Sequence, residues 1–396
     1  MKRIMIIAGG EWQIPVIRKA KQLGLFVINT NLYPQSLGFN DADVGLVADV
    51  LDKDQNLAYA KEWNVDAVIT DQSDIAVPTV AYVAEHMQLK GVGTAVADLF
   101  TNKSLMRSFC VKHDFPSPHF KLCNELKDAI AFLNECNFPL VVKPPANQSS
   151  RGVLKVTNMH ELEHAYTSAM HHSKDETVLI EEFIGGVELT VDGVQLNTGE
   201  HYSLATSTKT HYAHNEMIAN QLWFSQQHPE IDFDALHDQH NQMVKLMGLP
   251  FGLTHAEYKY HAGKFYLVEI AARGGGTKIS SDIVPLMSGI DSNNLLIRMA
   301  LGERINEIHP EARKITSVLD FFEFSPGKVK TIQGIEQASA LSGVISIGLN
   351  IEEGDIIEEV SDDRSRHGYI IAYAENTESL KSLLRKIHQT VQITYE

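Results

Sequence analysis

The strongest indication of a chemical function in this sequence comes from two carboxylates in one short stretch, Glu257 and Glu269. Residues 252–277 are predicted to form two β-strands joined by a polar turn at 261–264, with one carboxylate in each strand. Side chains directly opposite on antiparallel strands have Cβ atoms about 5 Å apart, so two carboxylates there repel unless a cation lies between them. Because hard oxygen ligands suit Mg²⁺ with a bound phosphate, the pair is a candidate metal site.

Arg273 extends this pattern, because it follows Glu269 by four residues and opens a run of three glycines at 274–276. A guanidinium offers a bidentate fork to a carboxylate or phosphate. The alternative is a solvated hairpin that carries two surface carboxylates. The rest of the chain must separate these two interpretations.

Lys143 is an upstream cation that follows three apolar residues at the end of a predicted strand. Burial of an ammonium group there is costly without an anion to pair with it. The following loop, 147–152, combines small residues, a cation and a glycine, so its backbone N–H groups could approach a phosphate closely. Such loops are common, and this one is a weak signal when taken alone.

Lys103 and Arg107 lie four residues apart at the start of a predicted helix and share one helix face. Taken alone, this spacing favours a solvated basic face. The histidine-rich stretch 211–228, with Trp223 and Phe224, lacks metal-ligand spacing and is predicted to form a loop over a pocket.

The predicted secondary structure around these residues follows two patterns. Over residues 1–90, short apolar runs alternate with amphipathic helices, which indicates a parallel, Rossmann-like α/β sheet. The run GGEWQI after the first strand lacks the GxGxxG fingerprint, so a dinucleotide site there has little support. Later residues alternate antiparallel strands with helices, which is typical of α+β units.

Composition limits the class of protein. A chain of 396 residues is long enough for two or three domains. Its formal charge of −16 disfavours nucleic acid and anionic membrane surfaces as partners. Three cysteines without CxxC spacing indicate reduced thiols and a cytoplasmic location. No apolar run reaches the ~18 residues needed to span a bilayer.

The chain resembles the ATP-grasp superfamily over essentially its whole length. Several strings carry the resemblance, namely VVKP at 141–144, SSRGV at 149–153, LIEEFIGGVE at 179–188, HAE at 255–257 and VEIAAR at 268–273. The ExxxRxxG run from Glu269 to Gly276 looks especially like that of L-amino-acid ligases and carbamoyl-phosphate-synthase-like members. The resemblance implies α/β and α+β architecture in which two α+β units clamp ATP.

Four domains follow from the resemblance. They are an N-terminal Rossmann-like domain at 1–93, an ATP-grasp small subdomain that forms the ATP lid at 94–185, a large subdomain with the metal site at 186–303, and a small C-terminal α+β cap at 304–396.

The resemblance also implies roles for individual residues. Lys143 and Arg273 become catalytic candidates, and Glu257 and Glu269 metal ligands. The implied nucleotide-binding residues are Lys103, Lys143, Ser149, Ser150, Arg151, Gly152, Glu181, Glu182, Phe183, Ile184 and Glu188. Backbone groups around Glu182 and Ile184 would pair with adenine, and Glu188 would hold the ribose hydroxyls.

One departure concerns Ala271, which stands where many family members have an asparagine that assists the second Mg²⁺. The second metal would then be held by Glu269 and phosphate oxygens, or bound more weakly. The amino-acid-ligase branch often lacks that asparagine, which favours that branch.

The resulting hypothesis is an ATP-dependent ligase, with Mg²⁺ or Mn²⁺ as cofactor, that activates a small carboxylate as an acyl phosphate and joins it to an amine. Amino acids are the expected substrates and a homodimer is the expected assembly. Two alternatives are a bicarbonate-using or carbamoyl-phosphate-type enzyme and a nucleotide-binding module without catalysis.

Overall fold

The computed structural model describes residues 1–146, 151–173 and 175–396. The strands are β1 (Arg3–Ile7), β2 (Phe26–Asn31), β3 (Val44–Val47), β4 (Ala67–Ile69), β5 (Phe120–Cys123), β6 (Leu140–Lys143), β7 (Leu154–Val156), β8 (Val178–Glu182), β9 (Val187–Gln195), β10 (His201–Tyr212), β11 (Asn215–Phe224), β12 (Gly252–His261), β13 (Lys264–Ala271), β14 (Thr316–Phe321), β15 (Gly327–Gln333), β16 (Val344–Leu349), β17 (Ile356–Ile357), β18 (Gly368–Ala374) and β19 (Gln392–Tyr395). The helices are α1 (Ile14–Gln22), α2 (Lys53–Glu62), α3 (Val77–His86), α4 (Thr94–Leu99), α5 (Lys103–Lys112), α6 (Leu126–Phe132), α7 (Met159–His172), α8 (Phe233–Met247), α9 (Val284–Ser288), α10 (Ser292–Ala300), α11 (Ile335–Ser339) and α12 (Thr377–Thr390).

The N-terminal region forms the predicted parallel α/β sheet, with strand order β3-β2-β1-β4. Most side chains of β1 and β2 are buried, which fits a parallel sheet covered by helices on both faces. Loops at the carboxyl ends of parallel strands lie at one edge of the sheet. The loop after β4, which carries Gln72 and Asp74, therefore faces the rest of the molecule.

A small antiparallel sheet follows, with order β5-β8-β6-β7, and α6 and α7 pack on it. The helix predicted from 124 to 136 is shorter, because α6 spans only Leu126–Phe132. The N–H groups of Leu133 and Asn134 donate to carbonyls three residues back, so the helix tightens into turns there.

The large sheet has eight strands in the order β13-β12-β9-β10-β11-β14-β18-β16. The predicted hairpin is confirmed as β12 and β13, and Glu257 is the register partner of Glu269. Helix α8 packs on this sheet in one apolar core. A second core joins side chains of the sheet with those of α1, α10 and the N-terminal strands.

The C-terminal residues extend the same sheet. Strands β14, β18 and β16 lie beyond β11, while α11 and α12 pack on their face. The sheet is thus continuous across residue 304, and the predicted division there stays a prediction. The expected loop within 211–228 is wrong in form, because β10 and β11 make a hairpin that turns at 213–214.

The part of the chain that the structure describes contains no helix that is both long and apolar enough to cross a bilayer.

Truncation after Glu303 is expected to prevent stable folding of the remainder. It removes β14, which pairs with β11, and it uncovers Leu222 and Phe224, which share a core with Leu319. Thermal unfolding followed by circular dichroism should show no cooperative transition for the fragment. Removal of residues 392–396, which deletes β19 from a separate small sheet, serves as the control and should leave the transition cooperative. A cooperatively melting 1–303 fragment would contradict this expectation.

Candidate functional site

The two predicted metal carboxylates lie side by side in a large cavity. Glu257 and Glu269 are opposite each other on β12 and β13, and both line a cavity of about 650 Å³. Each carboxylate has an ammonium partner. Lys103 forms an ion pair with Glu269, and Lys209 donates to Glu257 Oε1 at 2.6 Å. The repulsion expected from the sequence is thus offset by two lysines.

Lys209 was missed by the sequence reasoning, although it lies at the centre of the charged site. Its Nζ also donates to Glu188 Oε1 at 2.8 Å, so it bridges two carboxylates from different strands. Burial alone would lower the pKa of Lys209, but Glu188 and Glu257 outweigh burial and raise that pKa. The sequence pattern that could have identified Lys209 is a single cation within the neutral run Ser207–Thr210. A single charge in neutral surroundings is also the pattern that identified Glu257.

Glu188, the carboxylate predicted to hold the ribose, already contacts three basic side chains. Besides Lys209, its oxygens lie 2.8 Å from Lys259 Nζ and 3.3 Å from His211 Nε2. Burial raises the pKa of this carboxyl, but the surrounding positive charge outweighs that effect and holds the pKa well below its usual range. Glu188 is therefore ionised at neutral pH, and ribose hydroxyls would donate to an acceptor that is already oriented.

His255 lies two residues before Glu257 on β12, where the two side chains share one face of the sheet. Its Nδ1 lies 3.0 Å from Asp192 Oδ1, and its Nε2 lies 3.7 Å from Glu257 Oε1. Burial opposes the charged imidazolium, but Asp192 outweighs it and raises the pKa of His255 to about 9. Burial raises the pKa of Glu257, but the positive charge of Lys209 and the contact with His255 outweigh burial and lower that pKa to about 2.

A buried ionic cluster of three residues, Arg107, Glu181 and Lys143, forms the other wall of the cavity. Arg107 Nε donates to Glu181 Oε2 at 2.8 Å, and its Nη2 lies 3.2 Å from Oε1. Lys143 donates to the same Oε1. Arg107 is 1% exposed and Lys143 3% exposed. The interpretation of residues 103 and 107 as a solvated basic face is therefore wrong, because this face of α5 packs against β8 and β13.

Glu181 and Lys143 differ in how well the cluster stabilises their charged forms. Burial raises the pKa of Glu181, but Arg107 and Lys143 outweigh burial and lower that pKa to about 2. For Lys143, burial is the largest effect, and the nearby positive charges of Arg107 and Lys103 add to it. Glu181 offsets only part of this, so the pKa of Lys143 falls to about 8. Lys143 is thus the group that a bound anion would stabilise most.

Arg107 has one further property that bears on ligands. Its Nη1 is buried without a hydrogen-bond acceptor among the described residues, although Nη2 also donates to Val268 O at 3.0 Å. Arg107 lines the cavity together with Lys143. No role for Arg107 beyond its helix face could be predicted, because only the folded chain brings it to Glu181.

The predicted adenine segment lies along the same wall. Glu182, Phe183 and Ile184 line the cavity, and Lys155 Nζ lies 4.1 Å from the centre of the Phe183 ring. The N–H groups of Glu182 and Phe183 already donate to His119 O and to a proline carbonyl. The expected adenine donor is therefore the N–H of Ile184.

Part of the predicted phosphate loop lies outside the described residues, namely Ser149 and Ser150. Arg151 and Gly152 are described, and Gly152 has a φ of +70°, which favours glycine. Val153 lines the cavity directly after them. The role of this loop stays a prediction.

Arg273 joins the hairpin to the N-terminal region. Its Nε and Nη2 donate to the two carboxylate oxygens of Asp74 at 2.6 and 2.7 Å, and its Nη1 donates to Gly274 O at 2.9 Å. Burial opposes its charge, but Asp74 outweighs burial and raises the pKa of Arg273. The predicted catalytic fork therefore lines the cavity with its orientation fixed by Asp74.

The glycine run beside Arg273 is required by close packing. The N–H groups of Gly274 and Gly275 donate to Asp71 Oδ1 and Asp192 Oδ1 at 3.1 and 3.0 Å. A Cβ atom at Gly274 would lie 2.7 Å from Asp71 Oδ1, and one at Gly275 would lie 2.5 Å from Asp192 Oδ1. Two buried aspartates therefore fix the loop that carries Arg273.

The donor set suits Mg²⁺ only when substrate oxygens contribute. The described residues contain no group of three or more side chains that could by themselves hold a metal. Glu257 and Glu269 supply two carboxylates, and Ala271 is buried beside them without a donor. Mg²⁺ is commonly bound through one or two carboxylates and substrate phosphates, so the pair fits that use.

Comparison with known families identifies this architecture. The family model "ATP-grasp domain" matches residues 136–282, which contain Lys143, Glu181, Glu257 and Glu269. The chain therefore contains an ATP-grasp domain. The model "L-amino acid ligase C-terminal domain 2" matches residues 320–396, so the chain also carries that C-terminal domain.

Solved structures agree in fold. The L-amino acid ligase from Bacillus licheniformis superposes with a TM-score of 0.85 at 23% identity, covering 100% of this chain and 99% of that one. The phosphoribosylglycinamide synthetase from Anaerococcus prevotii gives a TM-score of 0.77 at 18% identity, with both chains fully covered.

The curated relatives match over smaller parts of both chains. Dapdiamide A synthase from Enterobacter agglomerans is 25% identical over 275 residues, which cover 67% of this chain and 64% of that protein. A formate-dependent phosphoribosylglycinamide formyltransferase from Prochlorococcus marinus is 26% identical over 204 residues, with 50% and 52% covered. The chain thus spans about half to two thirds of the length of these relatives.

ATP affinity is expected to fall as pH rises above about 8, the pKa of Lys143 in the free protein. Above that pH the free lysine is neutral and must take up a proton before it can face a phosphate. Because binding then requires uptake of one proton, the affinity for ATP falls about tenfold for each pH unit above that pKa. Nucleotide titrations from about pH 7 to pH 9.5 measure the effect. The Lys143→Arg variant stays charged and should give a flatter profile, whereas a flat wild-type profile would refute the role of Lys143.

Proposed function

We propose that this protein is an ATP-dependent ligase that joins a small carboxylate to an amine, with an amino acid on each side, and releases ADP and phosphate. One observation carries the proposal. A single cavity brings together two paired carboxylates, three lysines (two of them buried) and a fixed guanidinium, contributed by α5, β6, β10, β12 and β13 and the loop after β13. These are the charges that phosphoryl transfer to a carboxylate requires.

The chemistry follows from those charges. A carboxylate does not react with an amine at neutral pH, because its oxygen is a poor leaving group. Transfer of the γ-phosphoryl group makes an acyl phosphate, and the amine then displaces phosphate from the acyl carbon. Lys143 and Lys209 would neutralise the transferring phosphoryl oxygens. Arg273, oriented by Asp74, would hold the carboxylate and stabilise the tetrahedral intermediate.

Glu257 and Glu269 would hold Mg²⁺, or Mn²⁺, when nucleotide is bound. The metal would supply charge neutralisation on the phosphate oxygens. Lys103 and Lys209 pair with these carboxylates in the structure and offset their mutual repulsion, which keeps the two metal-binding side chains close together.

The relatives support this proposal in different degrees. The C-terminal domain match and the fold of the Bacillus licheniformis ligase favour amino acids as substrates. The biotin carboxylase domain of the Hydrogenobacter thermophilus 2-oxoglutarate carboxylase, whose structure contains MgADP and bicarbonate, shares the fold with a TM-score of 0.79 and keeps bicarbonate as an alternative carboxylate. ADP release measured over pairs of amino acids, with bicarbonate as a separate arm, distinguishes the two. ATP binding without turnover in every arm would favour a non-catalytic module.

Assembly and location are also proposals. The homodimer expected for an enzyme of this size can be tested by light scattering. The cytoplasmic location rests on the sparse cysteines, which are free in the structure at Cys110, Cys123 and Cys136.

Glu269→Gln is expected to reduce turnover by at least about 100-fold, because it removes one of the two carboxylates that would hold the metal. ADP release at saturating substrates is the measurement. Glu378→Gln, the same change on an exposed carboxylate of α12, should leave the rate unaltered. Unchanged ADP release from Glu269→Gln would sink the metal assignment.

Arg273→Ala is expected to lower kcat far more than it weakens ATP binding, because the guanidinium would act on the carboxylate and intermediate. Loss of one such charge-assisted contact costs about 10²–10³ in rate. Asp74→Asn should give a smaller loss of the same kind, since it weakens only the orientation of Arg273. Equal losses in kcat and ATP affinity for Arg273→Ala would show that it merely holds nucleotide.

A further inference from the structure

The cavity extends beyond the charged site into a region with a different character. Strands β11 and β14 contribute Leu222, Leu319 and Phe321 to it, and the rings of Trp12 and Tyr369 stand beside them. These apolar side chains come from the N-terminal region and the C-terminal strands as well as from the large sheet. We refer to this part as the apolar end of the cavity.

Arg366 is a cation at this apolar end. Its guanidinium lies 3.6 Å from the centre of the Phe321 ring, and its side chain is 12% exposed. Nη2 donates to Ala219 O at 2.7 Å and lies 2.8 Å from Asp363 Oδ1. Nε is buried without an acceptor among the described residues. A guanidinium carries five N–H donors, so Arg366 keeps hydrogen-bonding capacity after its protein contacts are made.

The other cations near this end have protein partners of their own. Arg364, whose side chain is 64% exposed, donates from Nη2 to Asp362 Oδ2 at 2.8 Å. Arg273 is held by both oxygens of Asp74. Lys278 lies 3.4 Å from Glu11 and 3.2 Å from Ser346 Oγ, and it also donates to Tyr369. Arg366 is therefore the cation best placed to meet an additional anion there.

The two ends of the cavity are well separated. Arg366 contacts β11 through Ala219, and three strand-to-strand steps in the sheet lie between β11 and β12, which carries Glu257. At about 4.8 Å per step this corresponds to roughly 14 Å across the strands. Ala219 is also displaced along the strands, because the register aligns Glu257 with Phe224 on β11. That span leaves room for a phosphoryl group, an acyl group and a second substrate in line between them.

We propose that Arg366 binds the carboxylate of the amine substrate, so that the second substrate is an amino acid that must keep its carboxylate free. This inference rests on the proposed ligase function. Bound to Arg366, that carboxylate stays away from the phosphate end of the cavity. The amino group of the same molecule then points towards the acyl phosphate. The geometry therefore decides which of two amino acids is activated and which one attacks.

The test compares each amino acid with its amide as the amine substrate, for the pairs that release ADP. An amide keeps the amino group but has no carboxylate for Arg366. The wild-type protein should have a KM for the amide about 10- to 100-fold higher than for the free amino acid, the worth of one charge-assisted contact. Arg366→Met should remove this preference by raising the KM for the free amino acid alone.

Two variants separate recognition from structure. Arg366→Lys restores the charge without the fork and should recover part of the preference. Arg298→Met, the same change on α10 where the guanidinium pairs with Glu303, should behave as wild type. A higher KM for ATP and for both substrates in Arg366→Met would instead indicate a structural role for the contact with Phe321.

The outcomes also separate this inference from the proposed function. Absence of ADP release from every pair overturns the ligase proposal itself. ADP release with equal use of amino acids and amides leaves the ligase proposal intact and overturns the role of Arg366. Retention of the preference in Arg366→Met overturns it as well.

Discussion

The structure of the candidate site depends on the neutralisation of carboxylates that the fold forces close together. Glu257 and Glu269 are opposite each other because they belong to adjacent strands, and Glu188 is drawn in from β9. Lys103, Lys209 and Lys259 offset their charge. A buried carboxylate without such a partner would be strongly disfavoured, so the lysines are as necessary to the site as the carboxylates.

The same constraint links separate parts of the chain. Arg273 depends on Asp74 from the N-terminal sheet, and the loop behind it depends on Asp71 and Asp192. The charge partners of the site therefore come from several elements that line one cavity. This physical picture explains why an N-terminal α/β sheet and an antiparallel sheet are needed to build one site.

Much of the local structure could be predicted because it follows from short-range patterns. The apolar runs of β1 and β2 and the hairpin with its turn at 261–264 were all recognisable. Contacts between residues far apart in the chain could not be recognised in this way. Arg107 looked like a solvated helix residue, and Lys209 and Arg366 carried no motif. The partners in these contacts lie 21 to 161 residues away, and periodicity contains no information about such pairs.

The recognisable strings that contain Glu257, Glu269, Lys143 and Arg273 were enough to predict a phosphate and metal site. The balance of their charges could be seen only in the folded chain. Folding buried the pair of Arg107 and Glu181, extended one sheet across residue 304 and joined an apolar end to the cavity. Strand order and long-range ion pairing set those features, and both depend on the packing of the whole chain.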